Sequence, residues 1–440
     1  MSEGIASPRR EDARELLRNG NAPGVRYCVW EITLACDLGC KHCGSRAGKA
    51  REDELSTEEC LDVVRQLAEM GILEVTLIGG EAYLREDWDI IAKAIVDAGI
   101  SCGITTGGRG FNQERIDRAV AAGVSGVSLS IDGLERTHNL QRGTSDSFRN
   151  AVEAAKRVKA SGMHLGVNSQ INRLTMAELP ALADLLIELE VQAWQLQLTV
   201  PMGRAADRPE LLLQPYDLLE LFPLIAWLKK EKLSPANIDV FPGNNIGYFG
   251  EYEEAIRFGG KEGTHWGGCG AGKDCMGVEA DGTIKACPSL PTENYTGGNT
   301  RTSPVAEVME GSERVTFIAE RTGKDLWGFC GTCYYADICK GGCTWTAQVI
   351  MGRPGNNPYC IHRALTYEAD GQHEVLRRVE AAAGEPFDHG RFETVVIDAP
   401  PPGADATILG RPVAEVMALK WQSGGVWDPD DAKKRLRVIA

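Results

Sequence analysis

The chain has no long hydrophobic run: nothing in its 440 residues approaches the ~20 consecutive apolar residues that cross a bilayer. Its start, Met1-Ser2-Glu3-Gly4 leading to Arg9-Arg10-Glu11-Asp12, lacks the apolar centre of a secretory signal. A basic surface is missing too. Lys and Arg number 47 against 62 Asp and Glu, a formal charge of −15, so no electropositive face is expected to neutralise phosphates. Neither an internal repeat nor a low-complexity tract is present. These absences predict a cytoplasmic protein with no membrane and no nucleic-acid partner. The 43% apolar and 25% charged content is ordinary for a globular chain, here long enough for one large domain and a smaller one.

Cysteine, by contrast, is plentiful, fourteen in all. Where thiols stay reduced, their spacing reads as metal ligation rather than disulfides. Three fall in Cys36-Asp37-Leu38-Gly39-Cys40-Lys41-His42-Cys43, directly after an apolar run. Three thiolates on so short a loop can hold three irons of a 4Fe–4S cube and leave the fourth open to a ligand. A zinc knuckle needs a fourth ligand, and only His42 is near enough. Eight more cysteines (Cys269, Cys275, Cys287, Cys330, Cys333, Cys339, Cys343 and Cys360) fill a glycine-dense region that begins after Pro242 and includes Gly259, Gly260 and Gly263. Bound metal is expected to organise that region more than an apolar core does. Cys28, Cys60 and Cys102 belong to no motif, and Cys60, on an amphipathic helix, is predicted to be a core residue.

Between Arg26 and about Val240, short β-rich runs alternate with amphipathic helices. The predicted strands are 27–33, 74–78, 101–105, 126–131, 164–171 and 193–199. Ser56 and Glu59 form a capping box ahead of Leu61, Val64, Leu67 and Ala68; Thr175 and Glu178 repeat it ahead of Leu182, Leu185, Leu186 and Leu189. Six β-then-α units predict an α/β fold, a parallel partial (β/α)6 barrel with its chemistry at the C-terminal ends of the strands, where the 36–43 loop falls. The predicted division is an N-terminal extension (1–24), the barrel (25–241), the cysteine-rich domain (242–367) and a helical or irregular tail (368–440) that includes Pro400-Pro401-Pro402-Gly403. About 25 residues precede the first strand, too few for a separate leader-binding domain. Asn168 and Gln170 on the fifth strand, and Gln195 and Gln197 on the sixth, alternate so that each pair shares a face. That face is expected to be the barrel interior, since helices cover the outside.

The 36–43 cluster resembles the signature of the radical S-adenosylmethionine (SAM) superfamily. The resemblance implies that Cys36, Cys40 and Cys43 hold a catalytic 4Fe–4S cluster, that SAM chelates its open iron, and that one-electron reduction splits SAM into methionine and a 5′-deoxyadenosyl radical. His42 would then pack beside the adenine. Gly79-Gly80-Glu81, ending the second strand, would allow close backbone approach and accept from the SAM ammonium on Glu81; the family's proline after this glutamate is Ala82 here. In the stretch Ser130-Ile131-Asp132-Gly133, Ser130 resembles the ribose ligand, and Arg142 the ligand of the SAM carboxylate. Asp132, Asn168, Gln170 and Gln195 are expected with them around SAM.

The later cysteines resemble the SPASM domain, an auxiliary-cluster module of radical SAM enzymes that mature peptides. By this resemblance Cys269, Cys275, Cys287 and Cys343 hold one auxiliary 4Fe–4S cluster and Cys330, Cys333, Cys339 and Cys360 another, three clusters in all. Four thiolates leave no open iron, which suits electron transfer. The implied activity is oxidation of a ribosomally made precursor peptide to a crosslink, a thioether or a decarboxylated product, with an external one-electron donor of flavodoxin or ferredoxin type. Sulfatase-maturing members carry an aspartate directly after the cysteine matching Cys287; Pro288 stands there, so formylglycine formation is not expected. The opening Val29-Trp30-Glu31-Ile32-Thr33-Leu34-Ala35-Cys36 also resembles haem-biosynthesis members, so oxidation or decarboxylation of a small molecule such as a tetrapyrrole haem precursor is the alternative. The stretches 243–248 and 327–329 are candidates to shape a substrate channel.

Overall fold

The computed structural model describes residues 24–257, 265–398, 407–409 and 411–412. The extension before Gly24, Gly259, Gly260, Gly263 and the 400–403 run lie outside the described residues. All six predicted strands form: β1 (Tyr27–Glu31), β2 (Glu74–Ile78), β3 (Ser101–Thr106), β4 (Gly126–Ser130), β5 (His164–Ile171) and β6 (Ala193–Leu198). They pair in parallel and in chain order. A seventh, β7 (Asp239–Pro242), adds in parallel to β6, so the boundary expected at 241 falls inside a strand. Helices α1 (Thr57–Glu69), α2 (Trp88–Asp97), α3 (Gln113–Ala121), α4 (Glu135–Arg142), α5 (Ser147–Ala160) and α6 (Leu179–Glu188) make the crossovers.

Strand alternation builds the core. Cys28, Trp30, Val75, Leu77, Cys102 and Ile104 are fully buried, each large side chain contributing about 1.5–3 kcal/mol by leaving water. Their neighbours Tyr27, Thr76 and Thr105 face the barrel interior, where they line cavities. The Ser56–Glu59 capping box is present, with the Glu59 amide 3.2 Å from the Ser56 hydroxyl. Helix α1 is rotated from the expected face: it buries Cys60, Val63, Val64 and Leu67, and leaves Leu61 39% exposed. Cys60 supplies the apolar member of an i, i+3, i+4, i+7 stripe. The second capping box does not form. Thr175 instead donates to the Gln170 carbonyl at 2.8 Å, and Glu178 accepts from the Leu134 amide at 2.8 Å and the Thr137 hydroxyl at 2.7 Å. Leu134 precedes α4 and has no capping side chain, so Glu178 serves that helix start from outside.

The cysteine-rich region continues the barrel sheet. Strands β8 (Cys275–Val278), β9 (Thr283–Lys285) and β10 (Gly298–Asn299) extend it to ten strands, with β8 parallel to β1. Further on, α7 (Thr344–Met351) and α8 (Ile361–Ala369) lead to a hairpin of β11 (His373–Glu380) and β12 (Arg391–Ile397). This hairpin replaces the helical or irregular tail predicted there: Val375, Val379, Thr394, Val395, Val396 and Ile397 are β-branched and suit a pleated surface. Its turn folds back over the barrel, where the Asp388 carbonyl accepts from the Gly203 amide at 2.8 Å. Pro209–Leu233, the one described stretch with the length and apolarity of a membrane span, has 72% of its most apolar window buried in the fold.

A charged network seals the seam between β1 and β8. Arg51 lies 3.2 Å from Glu31, 3.0 Å from Glu279 and 3.1 Å from Asp281. Lys285, 0% exposed, pairs with Glu279, donates to the Leu290 carbonyl at 2.7 Å and sits 4.3 Å from the centre of the Phe387 ring. Two cations face three carboxylates, so one negative charge is in excess. Burial, reinforced by Glu279, pushes Glu31 from 4.5 up to about 8. The folded state therefore holds a proton that the unfolded chain releases between those values, and stability falls as pH rises through that window. Glu31→Gln is expected to match the parent Tm near pH 5 and to exceed it by about 2 °C or more near pH 8.5. An equal Tm difference at both pH values in thermal unfolding of the reconstituted protein would show Glu31 ionised throughout.

Candidate active site and auxiliary cysteine sites

The 36–43 loop has no regular structure of its own and is held from every side. The Cys36 amide donates to the Gly48 carbonyl at 3.1 Å, Lys41 to Gln141 at 2.7 Å and Arg204 to Cys43 at 2.9 Å. Arg109 reaches the Asp37 carbonyl at 2.7 Å. Gly79 and Gly80 lie against the chain leaving β1: a Cβ on Gly79 would stand 2.5 Å from the Thr33 carbonyl, and one on Gly80 would collide with Ala35. Glycine is required here because backbone meets backbone. Gly143, with φ +78°, ends α4 against Gly39 and brings Arg142 beside the loop.

Cys36, Cys40 and Cys43 open onto a cavity of about 930 Å³, mouth included, at the C-terminal ends of the strands. His42, Gly79, Gly80, Glu81, Ser130, Arg142, Asn168, Gln170 and Gln197 are on its wall. Gln195 is not: it faces a second cavity at the opposite end of the barrel, because it stands two residues earlier on β6 than Gln197. Asp132 is also off the wall. It is 0% exposed and acts on the site through others, accepting from Arg142 Nε at 2.7 Å and from the Gln170 amide at 3.0 Å. Although burial opposes its charge, Arg142 holds the Asp132 carboxyl well below the usual range. His138 supports this turn, accepting from the Asp132 amide at Nδ1, 3.2 Å away. Its burial lowers it to about 3, so it stays neutral.

The donor set suits an iron cluster with an organic ligand. Burial pushes Cys36 up to about 12 and Cys40 to about 11; bound iron would supply the positive charge that favours thiolates in such a dry pocket. Burial raises Glu81 to about 7, against hydrogen bonds from Thr106 and from the Gly107 amide at 2.8 Å. Burial lowers His42 to about 4, leaving a neutral ring whose Nδ1 has no hydrogen-bond partner among the described residues. Gln170 Nε2 donates to Gln197 Oε1 at 3.0 Å, which leaves the Gln170 carbonyl, its second N–H and the Gln197 NH2 group for a ligand. Sequence reasoning missed Thr106, Gly107 and Arg204 on this wall. The run Thr105-Thr106-Gly107-Gly108 at the end of a predicted strand was the available signal for the first two; Arg204 had none.

The eight later cysteines gather in two sets of four. Cys275 is pushed well up by its hydrogen bond with Cys287, by burial and by the charges of Cys287 and Cys269; Cys343 is raised to about 12 by burial, with Cys269 and Cys287 adjacent. Burial raises Cys339 beside Cys360, Cys330 and Cys333, and Cys360, up to about 12, beside Cys330 and Cys333. The second set lines a cavity of about 350 Å³ walled by Tyr248, Phe249, Phe329 and Tyr335. Of the stretches considered for a substrate channel, Tyr248 and Phe329 wall this auxiliary site, while Gly243 lies against Gln197. Pro288 packs against Gly277. Cys28, Cys60 and Cys102 are core residues.

Because Asp132 acts only through Arg142 and β5, Asp132→Asn is expected to weaken SAM binding about tenfold while leaving iron content intact. An unchanged SAM dissociation constant would detach Asp132 from the site. Replacing Cys36, Cys40 and Cys43 with Ala is expected to abolish deoxyadenosine formation and spare the iron held by the later cysteines, as read by metal analysis.

Two family models match the chain. The radical SAM superfamily model matches residues 30–186, and the SPASM iron–sulfur cluster-binding domain matches 269–334; Cys339, Cys343 and Cys360 lie beyond that second match. The AdoMet-dependent heme synthase of Methanosarcina barkeri is 29% identical over 78% of this chain and 97% of its own. The mycofactocin maturase MftC of Mycobacterium tuberculosis is 28% identical over 76% of this chain and 82% of its own. Among solved structures, anSMEcpe with bound AdoMet aligns with a TM-score of 0.61 at 17% identity, covering 77% of this chain and 94% of that one. Streptococcus suis SuiB bound to its precursor peptide SuiA aligns at 0.57 and 18%, covering 78% and 77%. These two likenesses concern the fold. The chain is a radical SAM enzyme with a C-terminal SPASM domain, whose cofactors are SAM and 4Fe–4S clusters.

Proposed function

We propose that the protein is a peptide maturase: it oxidises a ribosomally made precursor peptide, by a net two-electron change, to a crosslink, a thioether or a decarboxylated product. The observation that carries this reading is the cavity wall beyond the cysteines. Asn168, Gln170 and Gln197 present neutral amides, and the cations there are Arg142, already tied to Asp132, and Arg204. Amide side chains match the donors and acceptors of a peptide backbone. A tetrapyrrole precursor carries several carboxylates and would call for more positive charge, in a chain whose net charge is −15.

When bound, the three-cysteine cluster and SAM supply the 5′-deoxyadenosyl radical that takes a hydrogen atom from substrate. Glu81 would accept from the SAM ammonium, Ser130 would hold the ribose, Arg142 would meet the carboxylate and neutral His42 would lie beside the adenine. Gln170 and Gln197 orient the substrate backbone. The two cysteine quartets, complete in thiolates, would hold auxiliary clusters, which would supply an acceptor for the second electron on its way to an external one-electron carrier.

The tetrapyrrole alternative is supported by the 29–36 opening and by the alignment with a heme synthase over nearly its whole length. Anaerobic co-expression with small peptides encoded beside this gene, followed by mass spectrometry, separates the two. Loss of two hydrogens, with or without carbon dioxide, is expected in one such peptide. Unchanged peptides alongside active SAM cleavage would favour the small molecule. Replacing Cys330 and Cys333 with Ala is expected to stop product while some uncoupled deoxyadenosine formation persists; full product yield would show that quartet to be dispensable.

A further inference from the structure

One side chain separates the two auxiliary quartets. Tyr248 is 1% exposed. Its ring is on the wall of the cavity lined by Cys330, Cys333, Cys339 and Cys360, and its own carbonyl stands 3.6 Å from Cys360 Sγ. Its hydroxyl reaches the first quartet, where it accepts from the Cys343 amide at 2.9 Å; it also accepts from Asn357 Nδ2 at 3.4 Å and donates to the Asn244 carbonyl at 2.5 Å. Gly342, with φ +68°, fits directly under the ring, where a Cβ would clash. Trp266 backs it with ring centres 4.9 Å apart, and Arg257 covers both rings while paired with Glu253 at 2.9 Å. The ring is fixed on all sides.

The two ends of Tyr248 act on a cluster in different ways. A backbone N–H that donates to cluster sulfur stabilises the extra electron and raises the reduction potential. The Tyr248 oxygen occupies the Cys343 N–H and so withholds that donor from the first centre. The ring keeps water from the second centre, and solvent exposure is another lever on potential. We propose that Tyr248 is a positioning residue that sets the two auxiliary potentials independently, the hydroxyl acting on the centre bound by Cys343 and the ring on the centre bound by Cys330, Cys333, Cys339 and Cys360. The gap between the potentials fixes which centre loses an electron and which gains it. This rests on the reading that each quartet holds a cluster.

The test is an EPR-monitored redox titration of the full-length reconstituted enzyme, with iron content measured in the same samples. Cys333→Ala identifies the second centre's signal by its loss. Tyr248→Phe, which removes one oxygen and keeps the ring, is expected to raise the first centre's midpoint potential and leave the second unmoved. Tyr248→Leu is expected to shift the second as well. Loss of iron from the first centre alone in Tyr248→Phe would also support the division of roles. Full iron with neither potential moved, an equal shift of both, or loss of both centres in Tyr248→Phe would overturn it. Parent enzyme reconstituting with iron for the SAM-binding centre alone would instead overturn the two-cluster reading itself.

Discussion

The pairing of β8 with β1 is the contact on which the rest of the molecule depends. Tyr27 to Trp30 lie in register with Cys275 to Val278, so the strand that carries one auxiliary cysteine is bonded to the strand that delivers the three-cysteine loop. Sheet geometry is stiff, with neighbouring strands about 4.8 Å apart and register fixed by the pleat. The auxiliary region is thereby placed relative to the SAM cavity by backbone hydrogen bonds, not by a flexible linker. The Glu31–Arg51–Glu279–Lys285 network reinforces that seam with charge, at the expense of one carboxylate that burial keeps protonated.

Within the active site, specificity of placement comes from small residues and a shared anion. Gly79 and Gly80 on one segment and Gly143 on another reach the cysteine loop and the chain leading into it at backbone distance. Asp132 then joins the ends of β4 and β5 to α4 through Arg142 and the Gln170 amide. A buried carboxylate of this kind contributes little net stability, since desolvation offsets its attraction, but it fixes geometry.

Much of this was legible in the sequence because the signals were local. The six strands, the Ser56–Glu59 cap and the three-cysteine loop each sit within a few consecutive residues. What escaped depends on distant partners. Glu178 reads as a capping residue for its own helix, yet it serves Leu134 and Thr137, which no local pattern announces. Gln195 and Gln197 share a strand face, but alternation cannot say which end of the barrel a side chain reaches. Arg204 comes to the site through a loop after β6 whose course is set by tertiary contact. The 373–397 hairpin was masked by charged residues that resemble a solvated helix, although its β-branched positions favoured strand.

The β11–β12 turn adds a matter of timing. Arg46, three residues past Cys43, is held by Asp207 at 2.7 Å and by Asp388 at 2.8 Å, the latter 342 positions later in the chain. The segment that follows the three-cysteine loop thus gains its Asp388 partner only after 342 further positions have been made.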